Sequence, residues 1–409
     1  MRATPGTALV LVLVLGCGEA GEKQAAGWRF ESTTLPNGTV HAINIAPADG
    51  GEPTFTLVEE LWIGSVDEAG PTSFGQIKGL AVAGDGRIAV FDAQAQELRI
   101  FDPAGAPLAT FGGRGDGPGE MESGYGLMQA HDGTLWVPDY GNARMSVFDF
   151  DEGFLRSYPL IVLSFGLIWD GAMAEDGTIL EPSVTIDGNE TPRLLRVYDL
   201  ELNLLDSLPL KPYPDVDRED PPSAFRFEMA EGEGFIPVPF YPQTQGLVDP
   251  SGEMWTTSYG DASYRIARWA PGGDTTLVLE TRRPRIPVQA ADRDSAISRI
   301  QDQLRGIGAS PVKDFSKIPE YKAAVLGLFV DDVDRLWVRT STSGSGAEYD
   351  IYDRDGRREG GVATALRIWS PLAPVIRGDH LWAVVTDDLG VGYVIRAKLP
   401  GIERLESGP

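Results

Sequence analysis

Cysteine and histidine are nearly absent from this sequence. Among 409 residues there is one cysteine, Cys17, and three histidines, His41, His131 and His380. A single thiol leaves no intramolecular disulfide to form, so packing alone must hold the fold. No histidine stands at metal-ligand spacing from another, which leaves a zinc site or a histidine-based lyase centre without its groups. Basic residues are in deficit as well, 35 against 60 acids, for a formal charge of −25. Such a field repels phosphate backbones and anionic lipid, and excludes nucleic acid as a partner. Long apolar runs are missing too. Ala8–Leu15 (ALVLVLVL) is apolar throughout, yet far short of the ~20 residues a membrane-spanning helix needs.

What the chain does have is short apolar runs punctuated by turn residues. Gly79–Gly113 contains the runs GLAV, RIAVF, LRIF and LATF, the first two separated by Asp85-Gly86. An Asp-Gly pair between apolar runs is a strong hairpin signal, so this stretch reads as a four-stranded antiparallel meander. The turn and its following strand recur without gaps as DGRIAVFD (Asp85–Asp92), DGTLWVPD (Asp132–Asp139), DGTILEPS (Asp176–Ser183), SGEMWTTS (Ser251–Ser258), DRLWVRT (Asp334–Thr340) and GDHLWAVV (Gly378–Val385). From Asp85 through Asp132, Asp176, Ser251 and Asp334 to Asp379 the steps are 47, 44, 75, 83 and 45 residues. A period of about 40–50 residues with four strands per unit is the signature of a propeller blade. A second series, Phe101-Asp102, Phe148-Asp149, Tyr198-Asp199, Trp269-Ala270 and Tyr352-Asp353, ends the third strand in phase with the first. The sequence thus predicts an all-β, six-bladed β-propeller.

The last copy offers strands at Ala373–Arg377, His380–Val385 and Tyr393–Leu399 and then runs out at Pro400-Gly401. Its outermost strand is missing, and Thr54–Gly64 is a strand without a partner in its own repeat. Ring closure by that N-terminal strand is therefore expected, since it removes exposed sheet edges. Trp28–Thr33 and Thr39–Ile45 flank Leu35-Pro36-Asn37-Gly38 as a further hairpin with no evident docking site. Two insertions lengthen the period, 211–245 between blades three and four and 284–322 between blades four and five. The second carries Ala296, Ile297, Ile300 and Leu304 at helical spacing, which predicts a helix of about four turns with its apolar stripe on the ring. Both insertions join an outer strand to the next inner one and share a face with the loops between second and third strands.

Val14-Leu15-Gly16-Cys17 resembles a bacterial lipobox, which implies residues 1–17 as a signal peptide and Cys17 as the lipidated residue. An ordinary signal peptide cut elsewhere is the alternative. Residues 18–53 then form a flexible tether and short hairpin, 54–400 the propeller, and 401–409 a tail. Asn142-Ala-Arg144 before a third strand, and Gly112-Gly-Arg-Gly-Asp-Gly-Pro-Gly-Glu-Met121 between blades, resemble NHL-type repeats. Over Thr54–Leu399 the chain is similar to bacterial six-bladed β-propeller lipoproteins. The resemblance implies a monomer in the cell envelope that touches the membrane only through its lipid. It implies little about activity, because one fold hosts many.

The long-loop face collects charged and aromatic residues: Arg114, Asp116, Glu120, Asp139, Tyr140, Glu181, Arg226, Tyr259 and Arg339. Mixed charge with Tyr and Arg suits a recognition surface. The expectation is a non-catalytic, membrane-tethered propeller that binds a protein, peptide or glycan and needs no cofactor. A metal-dependent hydrolase or lactonase of the gluconolactonase type is the alternative, with Glu181 and loop groups such as Asn142 and Asn189 around calcium. A scaffold for envelope assembly is the third reading. Asp331-Asp332-Val333-Asp334 fills the hairpin slot and lacks the alternating ligands of a calcium loop.

Overall fold

The computed structural model describes residues 27–402 except 49–50, 52–54, 67–68, 160–170, 175, 185–192, 211–219, 271, 345 and 370. The expected signal segment, Cys17, Asn189 and residues 403–409 therefore lie outside the described residues. The chain opens with a hairpin, β1 (Arg29–Thr34) and β2 (Val40–Ile45), then β3 (Phe55–Thr56) and β4 (Val58–Ile63). Blade one follows as β5 (Ile77–Val82), β6 (Ile88–Asp92), β7 (Glu97–Phe101) and β8 (Pro107–Gly112). Blade two is β9 (Met128–Gln129), β10 (Leu135–Asp139), β11 (Arg144–Asp149) and β12 (Gly153–Pro159). Blade three is β13 (Ala172–Met173), β14 (Ile179–Val184), β15 (Arg193–Tyr198) and β16 (Leu204–Pro209). The first insertion supplies a separate hairpin, β17 (Ala224–Met229) and β18 (Gly232–Pro237). Blade four is β19 (Gly246–Val248), β20 (Met254–Thr256), β21 (Arg265–Trp269) and β22 (Thr275–Arg282), followed by helix α1 (Ala290–Gly306). Blade five is β23 (Val325–Val330), β24 (Leu336–Thr340), β25 (Ala347–Tyr352) and β26 (Arg358–Thr364). Blade six is β27 (Val375–Arg377), β28 (His380–Thr386) and β29 (Gly392–Lys398), completed by β4.

Closure takes the predicted form: β4 pairs antiparallel with β29, Val394 opposite Ile63 and Ile395 opposite Trp62. The segment does more than close one blade. β3 adds a parallel strand to the edge of blade five, and β2 adds another to blade four, which with β1 paired outside it makes that sheet six-stranded. The N-terminal hairpin is thus docked on blade four, which sequence left open.

Six apolar clusters, one per pair of neighbouring blades, hold the ring. In blade one, Ile88 and Val90 pack toward blade six, and Ala89 and Phe91 toward blade two. Alternate residues serve different neighbours, which is why both faces of the second strand are apolar. The aromatic that ends the third strand coincides with a β-bulge in five blades, at Phe101, Phe148, Tyr198, Trp269 and Tyr352. A bulge bends the strand and increases its twist. The hairpin carboxylates also anchor the strand that follows. Asp249 and Asp331 accept the indole N–H of Trp255 and Trp337 respectively, at 3.0 and 2.8 Å. Asp331 takes the Arg335 amide and guanidinium as well, at 2.8 and 2.6 Å, so the DDVD segment is a saturated hairpin.

The helix forms where expected, with Ala296, Ile300 and Leu304 buried. Its stripe, however, does not lie on the ring. It packs on the other insertion, against Phe225, Phe227, Ile236 and Val238 of the β17–β18 hairpin and its exit. The two insertions complete each other as a small satellite, locked by Phe225 against Phe315 (5.2 Å between centroids) and by Lys317 donating to Asp220 and to the Pro221 and Ala224 carbonyls. The physical reason is mutual: neither insertion alone has a second apolar layer to bury against.

Candidate functional site

Five of the nine candidate recognition residues gather at the connection between blades one and two: Arg114, Asp116 and Glu120 lie in it, and Asp139 and Tyr140 lie where β10 ends beside it. Asp139, at the end of β10, is fully buried. Its carboxylate accepts the amides of Ser123 at 3.0 Å and Glu122 at 3.3 Å, and the Asn142 side-chain amide at 2.7 Å. Asp92 does the same in blade one with Gly75 and Gln76, at 2.8 and 2.9 Å. Arg144 donates to the carbonyls of Asp116, Gly117 and Glu120 at 3.2, 2.7 and 2.8 Å. Arg114 reaches the Glu122 carbonyl at 3.0 Å, the Glu120 carboxylate turns back onto the Gly117 amide at 3.0 Å, and the Tyr140 amide donates to Ser123 at 3.1 Å. The Asn-x-Arg signature therefore folds the connection, and Asp139 is enclosed within it.

The other four lie elsewhere. Glu181 stands opposite Arg196 in the β14–β15 register, on the strand face that packs toward blade two. Burial, then the Glu181 charge, raise the pKa of nearby Tyr198. Arg226 pairs with Glu233 across the satellite hairpin. Tyr259 meets Tyr241 at 5.6 Å, joining blade four to the satellite's exit. Arg339 donates to the Ile368 carbonyl at 3.1 Å in the connection from blade five to blade six. Of the histidines, His41 lies 2.9 Å from Glu280 and His380 lies 2.6 and 3.1 Å from Asp379 and Glu60.

The densest polar chemistry is at the seam between blades four and five. Asp350, on β25, is buried and accepts from Tyr264 at 2.9 Å, Arg283 at 3.0 Å and Arg358 at 2.8 Å. The Tyr352 hydroxyl meets Thr281 at 2.8 Å. Burial pushes Tyr264 well above its ordinary pKa, the Asp350 charge adding to it, and burial raises Tyr352 likewise. On the opposite face of β25, in the cluster shared with blade six, Tyr349 is pushed up to about 12 by burial, with Arg339 pulling the other way. Burial is the largest influence on Arg283 and works against its charge, but Asp350 together with Tyr264, Tyr352 and Glu348 outweighs it and the pKa is raised. The seam thus holds neutral tyrosines around a carboxylate clasped by two permanent cations.

Three hollows open along this seam. One, of about 450 Å³, runs from Ser263 and Tyr264 past Arg283–Ile286 to Lys322 and Ser341. A wider trough of about 640 Å³ continues from Lys322, Ala323 and Ser341 to Phe235, Phe240 and Tyr241 of the satellite. A smaller recess of about 280 Å³ shares Arg283, Pro284 and Ile286 and is walled by Trp28, Tyr349 and Arg358. Their linings include loops between second and third strands (Ser263, Ser341) and connections from outer to next inner strands (Pro284, Lys322), the two loop classes of the long-loop side. Lys322 is held by Asp292 of the helix at 3.0 Å and by the Thr342 carbonyl at 3.2 Å.

None of the nine candidates chosen from sequence lines these hollows. The signal that could have found the seam is Arg282-Arg283-Pro284-Arg285, a cluster of arginines in a strongly acidic chain, directly after an outer strand. Among the described residues, no three His, Cys, Asp or Glu side chains converge as a metal site, and no helix is long and apolar enough to cross a membrane. Asn142 spends its side-chain amide on Asp139 and on the Gly115 carbonyl at 2.9 Å.

No family model matches the chain, and no curated protein matches it. Solved structures do resemble it. A member of the DUF4221 family from Bacteroides vulgatus is 8% identical with a TM-score of 0.48, covering 92% of this chain and 99% of its own. A protein described as exported, from Bacteroides fragilis, is 12% identical with a TM-score of 0.44, covering 85% and 95%. A gluconolactonase from Xanthomonas campestris is 12% identical with a TM-score of 0.40, covering 87% and 97%. At such identities the likeness is one of architecture, and the chain itself is a six-bladed β-propeller with a two-part satellite.

Proposed function

We propose that this protein is an exported, membrane-tethered binding propeller, and that its ligand lies along the seam between blades four and five on the long-loop side. The observation that carries the reading is the run of adjoining hollows under the satellite. The two insertions depart from the repeat and fold together beside a seam lined by clasped arginines. An apolar trough with a few fixed polar groups is the usual form of a ligand site. Its length suits a short stretch of peptide or glycan rather than a whole protein face. Export and lipidation rest on the apolar Ala8–Leu15 segment and the Gly16-Cys17 junction.

The test is binding against turnover on residues 18–409. Short peptides and envelope glycan fragments are screened by calorimetry, with Lys322→Ala and Phe240→Ala as seam variants; a hit that both variants weaken about tenfold supports the reading. Hydrolysis of sugar lactones is assayed with and without calcium. Calcium-dependent turnover abolished by Glu181→Gln would replace the binding protein with a lactonase.

A further inference from the structure

The small recess beside the trough has a property the other hollows lack. Three of its lining residues bury a polar side-chain atom with no hydrogen-bond partner among the described residues: Arg358 Nη1, Trp28 Nε1 and Thr340 Oγ1. Arg358 has 5% of its side chain exposed, and Trp28 and Thr340 are 6% and 2% exposed. Buried polar groups are ordinarily paired, and three orphans around one recess call for a common explanation. The arginine and indole groups are donors only, while the hydroxyl can donate. What is missing is therefore an acceptor.

Charge narrows its identity. Arg283 and Arg358 bring two positive charges to the inner wall, against the single carboxylate of Asp350, whose oxygens already accept three bonds. Glu348 lies at the more exposed rim, 3.7 Å from Arg283. One negative charge completes the inner wall, whereas a dianion would crowd Asp350 and Glu348. Trp28 also covers the guanidinium, with Arg358 Cζ 4.1 Å from the ring centroid. A Cβ on Gly361 would come 2.3 Å from Arg358 Nη2, so only glycine leaves room for it there. A planar guanidinium suits a planar carboxylate.

We propose that this recess binds a small monocarboxylate, of the size of a hydroxy acid or a single uronic acid, through Arg358 and Trp28 with Thr340 as a further donor. Entry requires the Trp28 ring to swing off Arg358. The proposal rests on reading the seam as a binding site and names the chemistry of its end at the outer strands.

Calorimetry and thermal shift on residues 18–409 test it with lactate and glucuronate, against glucose and inorganic phosphate at matched ionic strength. A carboxylate is expected to bind and raise the melting temperature, and glucose and phosphate to leave it unchanged. Trp28→Phe, which keeps an aromatic ring and removes the N–H, and Thr340→Val are each expected to weaken binding about fivefold, and Arg358→Lys more than tenfold. Lys322→Ala, in the trough, is expected to leave carboxylate affinity within twofold. Absence of any carboxylate effect on the wild-type protein overturns the proposal, as does ordered water alone filling the recess in crystals soaked with glucuronate. Carboxylate binding indifferent to Trp28→Phe and Arg358→Lys also overturns it, by placing the ligand elsewhere. A peptide or glycan bound in the trough without carboxylate binding sinks this proposal and leaves the wider reading standing, and the reverse result does the opposite.

Discussion

The seam between blades one and two and the seam between blades four and five are built from the same repeat and hold different chemistry. The first is filled by Phe91, Leu98, Ile100, Met121, Leu135, Val137 and Phe148, and its loop carboxylate Asp139 is consumed by backbone amides. The second also has an apolar layer, with Trp255, Ile266, Leu336 and Val338. Above that layer sit Tyr264, Arg283, Asp350 and Arg358, and beside them open the hollows. One seam is sealed for stability; the other surrenders packing to keep polar groups in place. A ring of near-identical units can specialise one joint because each joint packs only with its neighbours.

Four changes would break or sharpen that contrast. Deleting residues 27–63 removes the closing strand and both added edge strands, and should lower stability the most, by more than about 5 kcal/mol; an unchanged melting curve would refute closure by β4. Phe148→Ala, in the sealed seam, should cost about 4 kcal/mol in denaturant titrations and leave ligand affinity unaltered. Asp350→Asn should cost less, about 3 kcal/mol, by leaving Arg283 and Arg358 buried without their counter-charge, and should change affinity as well. A cost below about 1 kcal/mol would mean that water reaches the pair.

The smallest effect concerns Glu359 of blade five. Burial, with the charges of Asp353 and Asp331, pushes its carboxyl up to about 7 against the opposing pull of Arg335. The folded state therefore holds this proton more tightly than the unfolded chain does. Its penalty is absent below the unfolded pKa of about 4.3 and fully present above about 7, so stability falls as pH rises through that window. The whole shift corresponds to about 3.5 kcal/mol, and solvent screening of this partly exposed carboxyl reduces it, so Glu359→Gln should remove about 2 kcal/mol of that decline. Equal pH slopes in the two proteins would show the carboxyl to be better solvated than its burial implies.

The ring itself was legible because its signals are local. Asp-Gly turns, the Trp136, Trp255 and Trp337 column and the aromatic at each bulge all lie within a few residues of the hairpins they specify. The closing strand could be inferred because Thr54–Gly64 had no partner and the last copy lacked a strand. The satellite was not legible: Phe225 and Leu304 carry no mark that they belong to one cluster, and the helical stripe looks the same whether it meets a ring or a hairpin. The recognition residues were chosen from an unusual loop composition. In the first connection that composition reflects loop folding, with Arg144 and Asp139 turned inward onto backbone. The blade-four seam escaped notice because Arg283 follows β22 of one blade while Asp350 and Arg358 belong to the β25–β26 hairpin of the next, and the two meet only when the blades pack.

The order in which the N-terminal strands are laid down has a mechanical consequence. The chain start is stitched to blade four by β2, to blade five by β3 and only then to blade six by β4. Tension applied at the N-terminus is met first by the outer hairpin, whose loss leaves four complete strands in blade four. The stitch that keeps the circle shut is loaded last, shielded behind two sacrificial attachments.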